Sequence, residues 1–378
     1  MTQVLAIFHD AYRELNAKRM FWIVLILSGV VVLAFAAIGV SNDHLTLLWW
    51  QTPLPAFIPP AMFYKWMFSF FGVGMWLTWV AMGLAVISTA GIIPDFISGG
   101  SVDLFLSKPI SRPLLFLLKY LSGLLFVALQ VLVFSLASFI VVGARAGVWD
   151  PRLFLAVPLV VCFFSYLYCV SALAGLLTRS AIAAMLLTIV FWACVSLIDR
   201  GEVILLGGKI TAEAEAASND RSYKIIDGQV RYIEQHPPAT STTRAAEQES
   251  RRLENLRKQR QEHLDAANSA KKWGHVLGYI QQGSYAVKLA LPKVAENNDV
   301  LDRALFSPAE LQEFGGRRRE EAAEMDDSGG FGRPHPEAAR ELQRQMQKRS
   351  TAWTLGTSLG FEAFILMICV WIFSRRDF

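Results

Sequence analysis

The sequence predicts an all-α polytopic membrane protein with six transmembrane helices, an N-terminal interfacial helix and a large helical extracytoplasmic insert between helices five and six. The first observation is composition, since 53% of the 378 residues are hydrophobic and the mean hydropathy is +0.37. The second is charge, since residues 199–350 hold 24 basic and 24 acidic side chains whereas the other 226 residues hold 12 and 8. The weakly charged part has the composition of membrane helices, and the balanced polar part argues against a nucleic-acid-binding surface.

The N-terminal residues 1–19 form an amphipathic segment ahead of the first apolar stretch. Val4, Phe8, Tyr12 and Leu15 recur at helical spacing, with polar side chains on the other faces. This pattern predicts a helix that lies flat on the inner leaflet of the membrane. An ordinary helix packed beneath the bundle is an equally good interpretation of the same spacing.

Six apolar stretches reach the length of about 20 residues that a helix needs to cross the bilayer core. Five fall within residues 20–198, and the sixth falls within 350–378, which also includes a cytoplasmic tail. Prolines follow the first stretch and make a regular helix improbable there, and the tryptophans among them suit the headgroup zone of the membrane. The stretches are 20–42, 66–94, 120–144, 153–178, 180–198 and 350–374.

Lysines and arginines in the short flanks indicate the orientation, because they accumulate on the cytoplasmic side of a membrane. With the N-terminus inside, the inner flanks hold nine such residues and the outer loops hold three. Both termini are therefore predicted to be cytoplasmic, and residues 199–349 to be an extracytoplasmic helical domain. The inner residues are Arg13, Lys18, Arg19, Lys108, Arg112, Lys119, Arg179, Arg375 and Arg376, and the outer ones are Lys65, Arg145 and Arg152.

The polar region 199–349 is predicted to be helices joined by turns. Residues 244–273 are rich in Glu, Arg, Gln and Ala and contain no Pro or Gly, which predicts a long solvated helix or one arm of a hairpin. The apolar residues 276–291 are too short a run to span a membrane. They either contact the outer membrane face or form the small core of this domain.

No sequence pattern of a catalytic or metal site is present. The nearest match to a phosphate-binding loop is Gly207, Gly208 and Lys209, which lacks the first glycine at the required spacing. The four cysteines lie within apolar stretches, and no His or carboxylate accompanies them at metal-ligand spacing. The chain is therefore predicted to be neither an enzyme nor a metal-binding protein, and a partner must supply any energy that it uses.

The loop between the second and third stretches, 95–112, is the most informative segment. Gly99 and Gly100 permit a sharp turn, Ser101 is suited to cap a helix, and Pro109 ends it. The resulting short helix is apolar at its centre and charged around it, which is the composition of a protein contact surface. A re-entrant or interfacial turn that only links two spans is the alternative.

The string GSVDLFLSKPISRPLLFLLKY in this loop resembles that of type-2 ABC exporter permeases, and the closing WIFSRRDF is similar to the end common in that group. The resemblance implies an ATP-driven exporter whose membrane subunit is this chain. It also implies that the loop is a coupling helix bound to a separate cytoplasmic ATPase, which holds ATP and Mg, with a second permease copy or paralogue completing the dimer. The implied contact residues are Ser101, Asp103, Leu104, Phe105, Leu106, Ser107, Lys108, Pro109, Ile110 and Arg112.

Glu362 is the one ionisable residue well inside an apolar stretch. Because charged groups are costly in lipid, it is expected to face the bundle interior. Two interpretations follow: a buried carboxyl hydrogen-bonded to Ser or Thr on a neighbouring helix, or a group on a transport or proton path. Gly356 and Gly360 form a GxxxG pattern that permits close approach of another helix, from the same chain or from a second permease.

Two other classes of function remain open. A transporter coupled to ions would use Glu362 as its titrating group. A membrane-anchored envelope assembly or scaffold protein would use the large outer domain to recruit an extracytoplasmic partner.

Overall fold

The computed structural model describes residues 19–41, 44–47, 50–55, 60–98, 111–236, 243–293, 296–306, 341, 345 and 351–375. The predicted interfacial helix therefore lies outside the described residues, except for Arg19. A π-helix, Phe68–Ala81, joins α2 to α3, and a 3₁₀ helix, Pro151–Leu155, precedes α6. The α-helices are α1 (Arg19–Ala37), α2 (Pro60–Met67), α3 (Met82–Thr89), α4 (Ile92–Ser98), α5 (Arg112–Ala146), α6 (Ala156–Thr178), α7 (Ala181–Gln235), α8 (Thr243–Ala290), α9 (Glu296–Leu305) and α10 (Thr351–Arg375).

Six helical segments are long and apolar enough to cross a membrane, so the predicted polytopic helical class is confirmed at that level. Each of the six predicted stretches overlaps one of them. The first helix ends at Ala37, earlier than the apolar stretch, because the next residues form a strand. The fifth continues to Gln235, far beyond residue 198, because the alanine- and glutamate-rich sequence that follows favours a helix. The segments are Arg19–Ala37, Pro60–Ile97, Arg112–Ala146, Pro151–Thr178, Ala181–Gln235 and Ala352–Arg375.

A three-stranded antiparallel sheet of order β1-β2-β3 follows α1 and adds a small β element to the predicted all-α class. Ile38 pairs with Leu47, and Leu47 pairs in turn with Trp50. Two prolines of this loop, Pro53 and Pro55, lie in the edge strand β3, where a missing N–H is tolerated, and Pro60 is the first residue of α2. The strands are β1 (Ile38–Ser41), β2 (His44–Leu47) and β3 (Trp50–Pro55).

The chain divides into two compact units. The bundle unit comprises Met1–Leu197, Ala290–Met325 and Thr351–Phe378, and the hairpin unit comprises Ile198–Leu289 and Asp326–Ser350. The chain therefore passes from one unit to the other within α7 and again at the end of α8.

Within the bundle unit, α6 packs extensively on both α5 and α10. Tyr168 of α6 is buried and stacks on Tyr120 of α5, with ring centroids 5.0 Å apart. Gly123 makes this approach possible, because a Cβ atom added there would lie 2.6 Å from the Tyr168 ring. The contact between α5 and α6 is thus an aromatic stack, and the absence of a side chain at Gly123 allows the two rings to approach.

An ion pair lies where the second membrane helix begins. Lys65 Nζ is 3.0 Å from Asp150 Oδ2, and both side chains are about nine-tenths buried. Asp150 also caps the 3₁₀ helix by accepting from the Arg152 N–H at 3.0 Å. Burial raises the pKa of Asp150, but the Arg152 N–H and the Lys65 ammonium outweigh burial, and the net shift is downward.

The short helix α9 packs on the bundle through buried Leu301, Leu305 and Phe306. Asp302 of this helix accepts a hydrogen bond from the Ser69 hydroxyl of the π-helix. Burial raises the pKa of Asp302, and the Ser69 hydrogen bond opposes the shift only in part.

The hairpin unit contains residues 198–235 of α7 and the antiparallel α8. The predicted helix over 244–273 is confirmed as part of α8, and it is one arm of this hairpin. Polar contacts join the two helices in the half of the hairpin that is far from the bundle connections. In the half near those connections, small residues allow the helices to approach closely, since a Cβ atom at Gly274 would lie 3.7 Å from Ala212 Cβ. The polar contacts include Arg257 to Glu234 at 2.7 Å, Arg260 to Asp227 at 3.1 Å and His263 to Asn219 at 2.9 Å.

Candidate functional site

The predicted coupling residues 101–110 lie outside the described residues, and Arg112 is the member of the predicted contact that the structure places. Arg112 begins α5 after the extended Ser111, with Pro113 in the first turn. Its Nη1 lies 3.4 Å from the carbonyl oxygen of Ser374, near the end of α10. The loop is therefore connected to the last membrane helix at the point where it enters the bundle.

Three aromatic rings and a lysine extend this connection. The Phe96 ring of α4 and the Phe116 ring of α5 lie 6.5 and 5.6 Å from the Phe373 ring of α10, measured between centroids. Lys119 Nζ lies 5.4 Å from the centroid of Phe96, a cation–π geometry. We call Phe96, Arg112, Phe116, Lys119 and Phe373 the loop-base cluster.

Through the loop-base cluster, α4 before residues 99–110 and α5 after them both contact the C-terminal end of α10. Sequence reasoning identified Arg112 as a site residue and missed the other four. The three phenylalanines lie in apolar stretches rich in similar residues, so no local signal distinguishes them.

The carboxylate of Glu362 lies in the interior of the bundle, where it is 8% exposed. The Tyr120 hydroxyl of α5 donates to Glu362 Oε1 at 2.8 Å, and the Ser165 hydroxyl of α6 donates to Oε2 at 2.7 Å. Among the described residues no Lys or Arg forms an ion pair with this carboxylate. We call Tyr120, Ser165 and Glu362 the carboxylate cluster.

The carboxylate cluster joins three helices through one acidic side chain. Hydroxyl groups that donate to a buried carboxylate offset part of its desolvation. The serine partner agrees with the interpretation of Glu362 as a hydrogen-bonded buried carboxyl. The tyrosine was not anticipated, since nothing in the sequence distinguishes Tyr120 from the other tyrosines.

Gly356 and Gly360 lie on an exposed face of α10. A Cβ atom added to either glycine would meet no described atom within 4 Å. In the described part of the chain, no helix packs closely against the GxxxG pattern.

A second polar group that sequence reasoning missed lies in the hairpin unit. Lys288 Nζ lies 3.2 Å from Asp199 Oδ1 and 3.3 Å from Glu202 Oε2, and the three side chains are at most 2% exposed. Gln281 also donates to Glu202, at 3.3 Å. The charges fall at the edges of apolar runs, where sequence alone indicates a solvated helix end. We call Asp199, Glu202 and Lys288 the hairpin ion cluster.

The described residues contain no group of three or more His, Cys, Asp or Glu side chains arranged to hold a metal ion. Comparisons with known protein families, curated proteins and solved structures found no match to this chain.

Proposed function

We propose that this chain is the membrane-spanning permease subunit of an ATP-driven ABC exporter. It is coupled to a separate cytoplasmic ATPase through the loop 95–112. The resemblance of this loop to those of exporter permeases provides the functional class. The observation that carries the proposal is the loop-base cluster, because it attaches both ends of the loop to the end of α10.

The loop-base cluster can transmit a displacement of the loop to the membrane helices. Phe96 and Arg112 flank the loop, and both contact the last turns of α10. About 16 Å further along α10, Glu362 is hydrogen-bonded to Tyr120, eight residues into α5 from Arg112. A displacement of the loop would therefore be transmitted to α5 and α10 both at the loop-base cluster and at the Tyr120–Glu362 hydrogen bond. Binding of ATP by the partner would in this way shift the bundle between two conformations.

The proposed orientation has both termini in the cytoplasm of a bacterial-type plasma membrane, and residues 199–349 outside. Contacts between helix ends support it: a Cβ atom at Gly175, near the end of α6, would lie 2.9 Å from Pro94 of α4, and Phe96 stacks on Phe373. The loop-base end of the bundle also carries the basic residues that favour the cytoplasmic side. Those described are Arg112, Lys119, Arg179 and Arg375.

The proposed assembly has two permease subunits and two ATPase subunits. ATP and Mg bind to the ATPases, and the permease binds none itself. The open face at Gly356 and Gly360 is a suitable surface for the second permease copy or paralogue, because small residues allow two helix backbones to approach closely.

Co-purification from native membranes tests the proposal. A tagged chain, solubilised in mild detergent, should retain a stoichiometric P-loop ATPase, and the eluate should hydrolyse ATP. Double substitution Leu104→Glu and Phe105→Glu should remove the ATPase without reducing membrane insertion. The matched control is Ile225→Glu together with Tyr232→Glu, which places two charges on the exposed surface of the hairpin and should leave the ATPase bound.

Two results contradict the proposal. If the wild-type chain retains no ATPase, it is not such a permease. If the loop variant retains as much ATPase as wild type, the loop is not the contact. Envelope proteins recovered through the hairpin, without an ATPase, would indicate the scaffold alternative.

A further inference from the structure

The half of the hairpin near the bundle connections has an apolar exterior. Ile280, Val287 and Leu289 of α8 are 52%, 51% and 41% exposed, and Ile204 of α7 is 72% exposed. Tyr279 adds an aromatic side chain that is 75% exposed. Residues 276–291 are therefore not the core of this domain, which was one of the two interpretations of their sequence.

The charges of the same segment face inward. Between Trp273 and Leu289, Lys288 is the only Lys, Arg, Asp or Glu, and it is buried in the hairpin ion cluster. Opposite it on α7, Asp199 and Glu202 are buried as well. Arg200 is the exposed charge here, and a long arginine side chain at a membrane boundary extends its guanidinium toward water.

The far half of the hairpin has the opposite arrangement. Its exterior carries ion pairs within each helix, such as Lys224 with Asp220, Arg231 with Asp227 and Arg251 with Glu247. These are the surfaces of a helix in water, where charges remain solvated. One hairpin thus has a water-type surface in one half and an apolar surface over a charged interior in the other.

The length of α7 agrees with a position of the apolar half at the edge of a bilayer. Because α7 begins at Ala181 and rises 1.5 Å per residue, residues 181–208 extend about 42 Å, the thickness of a bilayer with its headgroups. The Lys288 contact with Asp199 aligns the end of α8 with the start of this half. At its other end, a Cβ atom at Gly278 would lie 3.7 Å from Lys209 Cε.

We propose that the base of the hairpin, residues 198–208 and 279–289, is embedded in the boundary region of the phospholipid bilayer. Its exposed apolar side chains contact lipid, and its ion cluster is sealed inside. A bilayer fits better than a protein partner because the exposed apolar side chains surround α8: Ile280 and Leu289, nine residues apart, point in opposite directions at 3.6 residues per turn, whereas a partner would cover one face. Tyr279 and Tyr285 suit this depth, since aromatic rings with a polar tip concentrate at the headgroup level.

Lipid-borne quenchers test the proposal on the full chain in nanodiscs. Ile280→Cys and Val287→Cys, each in a Cys194→Ser background, are labelled with the fluorophore NBD; Cys194 is the exposed native thiol. The matched control is Lys258→Cys, an exposed position in the far half of α8. The unlabelled background chain corrects for reaction at the remaining cysteines. Phosphatidylcholine nanodiscs carry a nitroxide either at the headgroup or at the fifth acyl carbon.

Quenching at positions 280 and 287 should exceed quenching at 258 at least threefold. Position 287, nearer to the span, should respond more strongly than 280 to the acyl-chain nitroxide. Equal quenching at all three positions would overturn the proposal. Blue-shifted emission at 280 and 287 without quenching would also overturn it, because a protein surface would then cover the base.

Discussion

Tyr120 and Glu362 lie 242 residues apart in the chain, and the tyrosine hydroxyl donates a 2.8 Å hydrogen bond to the carboxylate. The contact places the last membrane helix, which follows the whole polar region, against the third. The Ser165 hydroxyl of α6 donates to the other carboxylate oxygen, so two neighbouring helices hold α10 at this level.

Removing the tyrosine hydroxyl should destabilise the bundle. Tyr120→Phe leaves one oxygen of a buried carboxylate without its donor, and the expected loss of unfolding free energy is about 1 to 3 kcal/mol. Thermal unfolding of the purified chain in detergent measures it. Tyr232→Phe removes the same group from a side chain that is 65% exposed, and it should leave the midpoint unchanged. Equal midpoints for both variants would show that the hydrogen bond does not stabilise the fold.

Substitution of Glu362 separates its two interpretations. Glu362→Gln keeps the shape of the side chain and one acceptor oxygen, so a structural role predicts that the ATP hydrolysis of the reconstituted permease and ATPase complex is retained. Glu362→Leu removes the carboxylate to which both hydroxyls donate, although each keeps a backbone carbonyl within reach, Ser165 O at 3.0 Å from the Tyr120 hydroxyl and Cys162 O at 2.8 Å from the Ser165 hydroxyl. It should lower the free energy of unfolding by about 1 to 3 kcal/mol. A folded Glu362→Gln variant that has lost transport would instead support the ion-coupled alternative.

The ion pair of Lys65 and Asp150 predicts a pH-dependent contribution to stability. Asp150→Asn keeps a side chain that can cap the 3₁₀ helix but leaves Lys65 without its carboxylate partner, which should cost about 3 kcal/mol near neutral pH. Asp150→Ala also loses the cap and should cost about 1 kcal/mol more.

The sign follows from the lowered pKa of Asp150. The contribution of the pair is fully present above the unfolded pKa of 3.8, and it is lost as the pH falls through the lower pKa of the folded state. Unfolding midpoints of wild type and Asp150→Asn should therefore converge below pH 3.8. A difference that persists unchanged into acid would contradict the assignment.

Adding a methyl group at Gly123 should destabilise the bundle. Gly123→Ala places a Cβ atom 2.6 Å from the buried Tyr168 ring, and the expected cost is about 1 to 3 kcal/mol. Gly29→Ala is the control, because its Cβ atom meets nothing within 4 Å and alanine favours the helix by about 0.5 to 1 kcal/mol. The two substitutions should shift the unfolding midpoint in opposite directions, and a shared direction would contradict the packing argument.

Replacing one residue of the hairpin ion cluster should destabilise the hairpin more than replacing all three. Lys288→Met removes the buried ammonium that contacts both Asp199 and Glu202, which should cost about 3 to 5 kcal/mol. Replacing all three residues with apolar ones of similar size should restore most of the loss. Limited proteolysis of the full chain, followed at the hairpin, measures both. If Lys288→Met is no more sensitive than wild type, the cluster does not hold the two helices together.

Hydropathy predicted the six membrane-crossing segments because lipid imposes a length and an absence of charge that single sequences display. Their ends were predicted less well, since charge ends an apolar stretch but does not end a helix. At residue 199 the chain becomes charged, yet α7 continues for another 36 residues. In the first loop the prolines correctly disfavoured a helix, but strand pairing depends on partners that a local pattern does not identify.

The candidate site was predicted in part for the same reason. Glu362 is conspicuous as a lone charge in an apolar stretch, whereas Tyr120 and Ser165 are ordinary residues of apolar helices. Their role arises from contacts 242 and 197 residues away along the chain. Lys288 was missed because one lysine at the end of an apolar run indicates a solvated terminus, and only the pairing of α7 with α8 shows that it is enclosed.

The contact of Lys288 with Asp199 also has a consequence for how the chain tolerates change in length. It joins the first and last turns of a 92-residue segment, Ile198–Leu289, through side chains, with Lys288 Nζ 3.2 Å from Asp199 Oδ1. An insertion whose ends meet can be shortened turn by turn from its tip, or replaced by a short linker, without moving the ends apart. The hairpin is thus expected to tolerate shortening at its tip while its two ends stay in contact with each other.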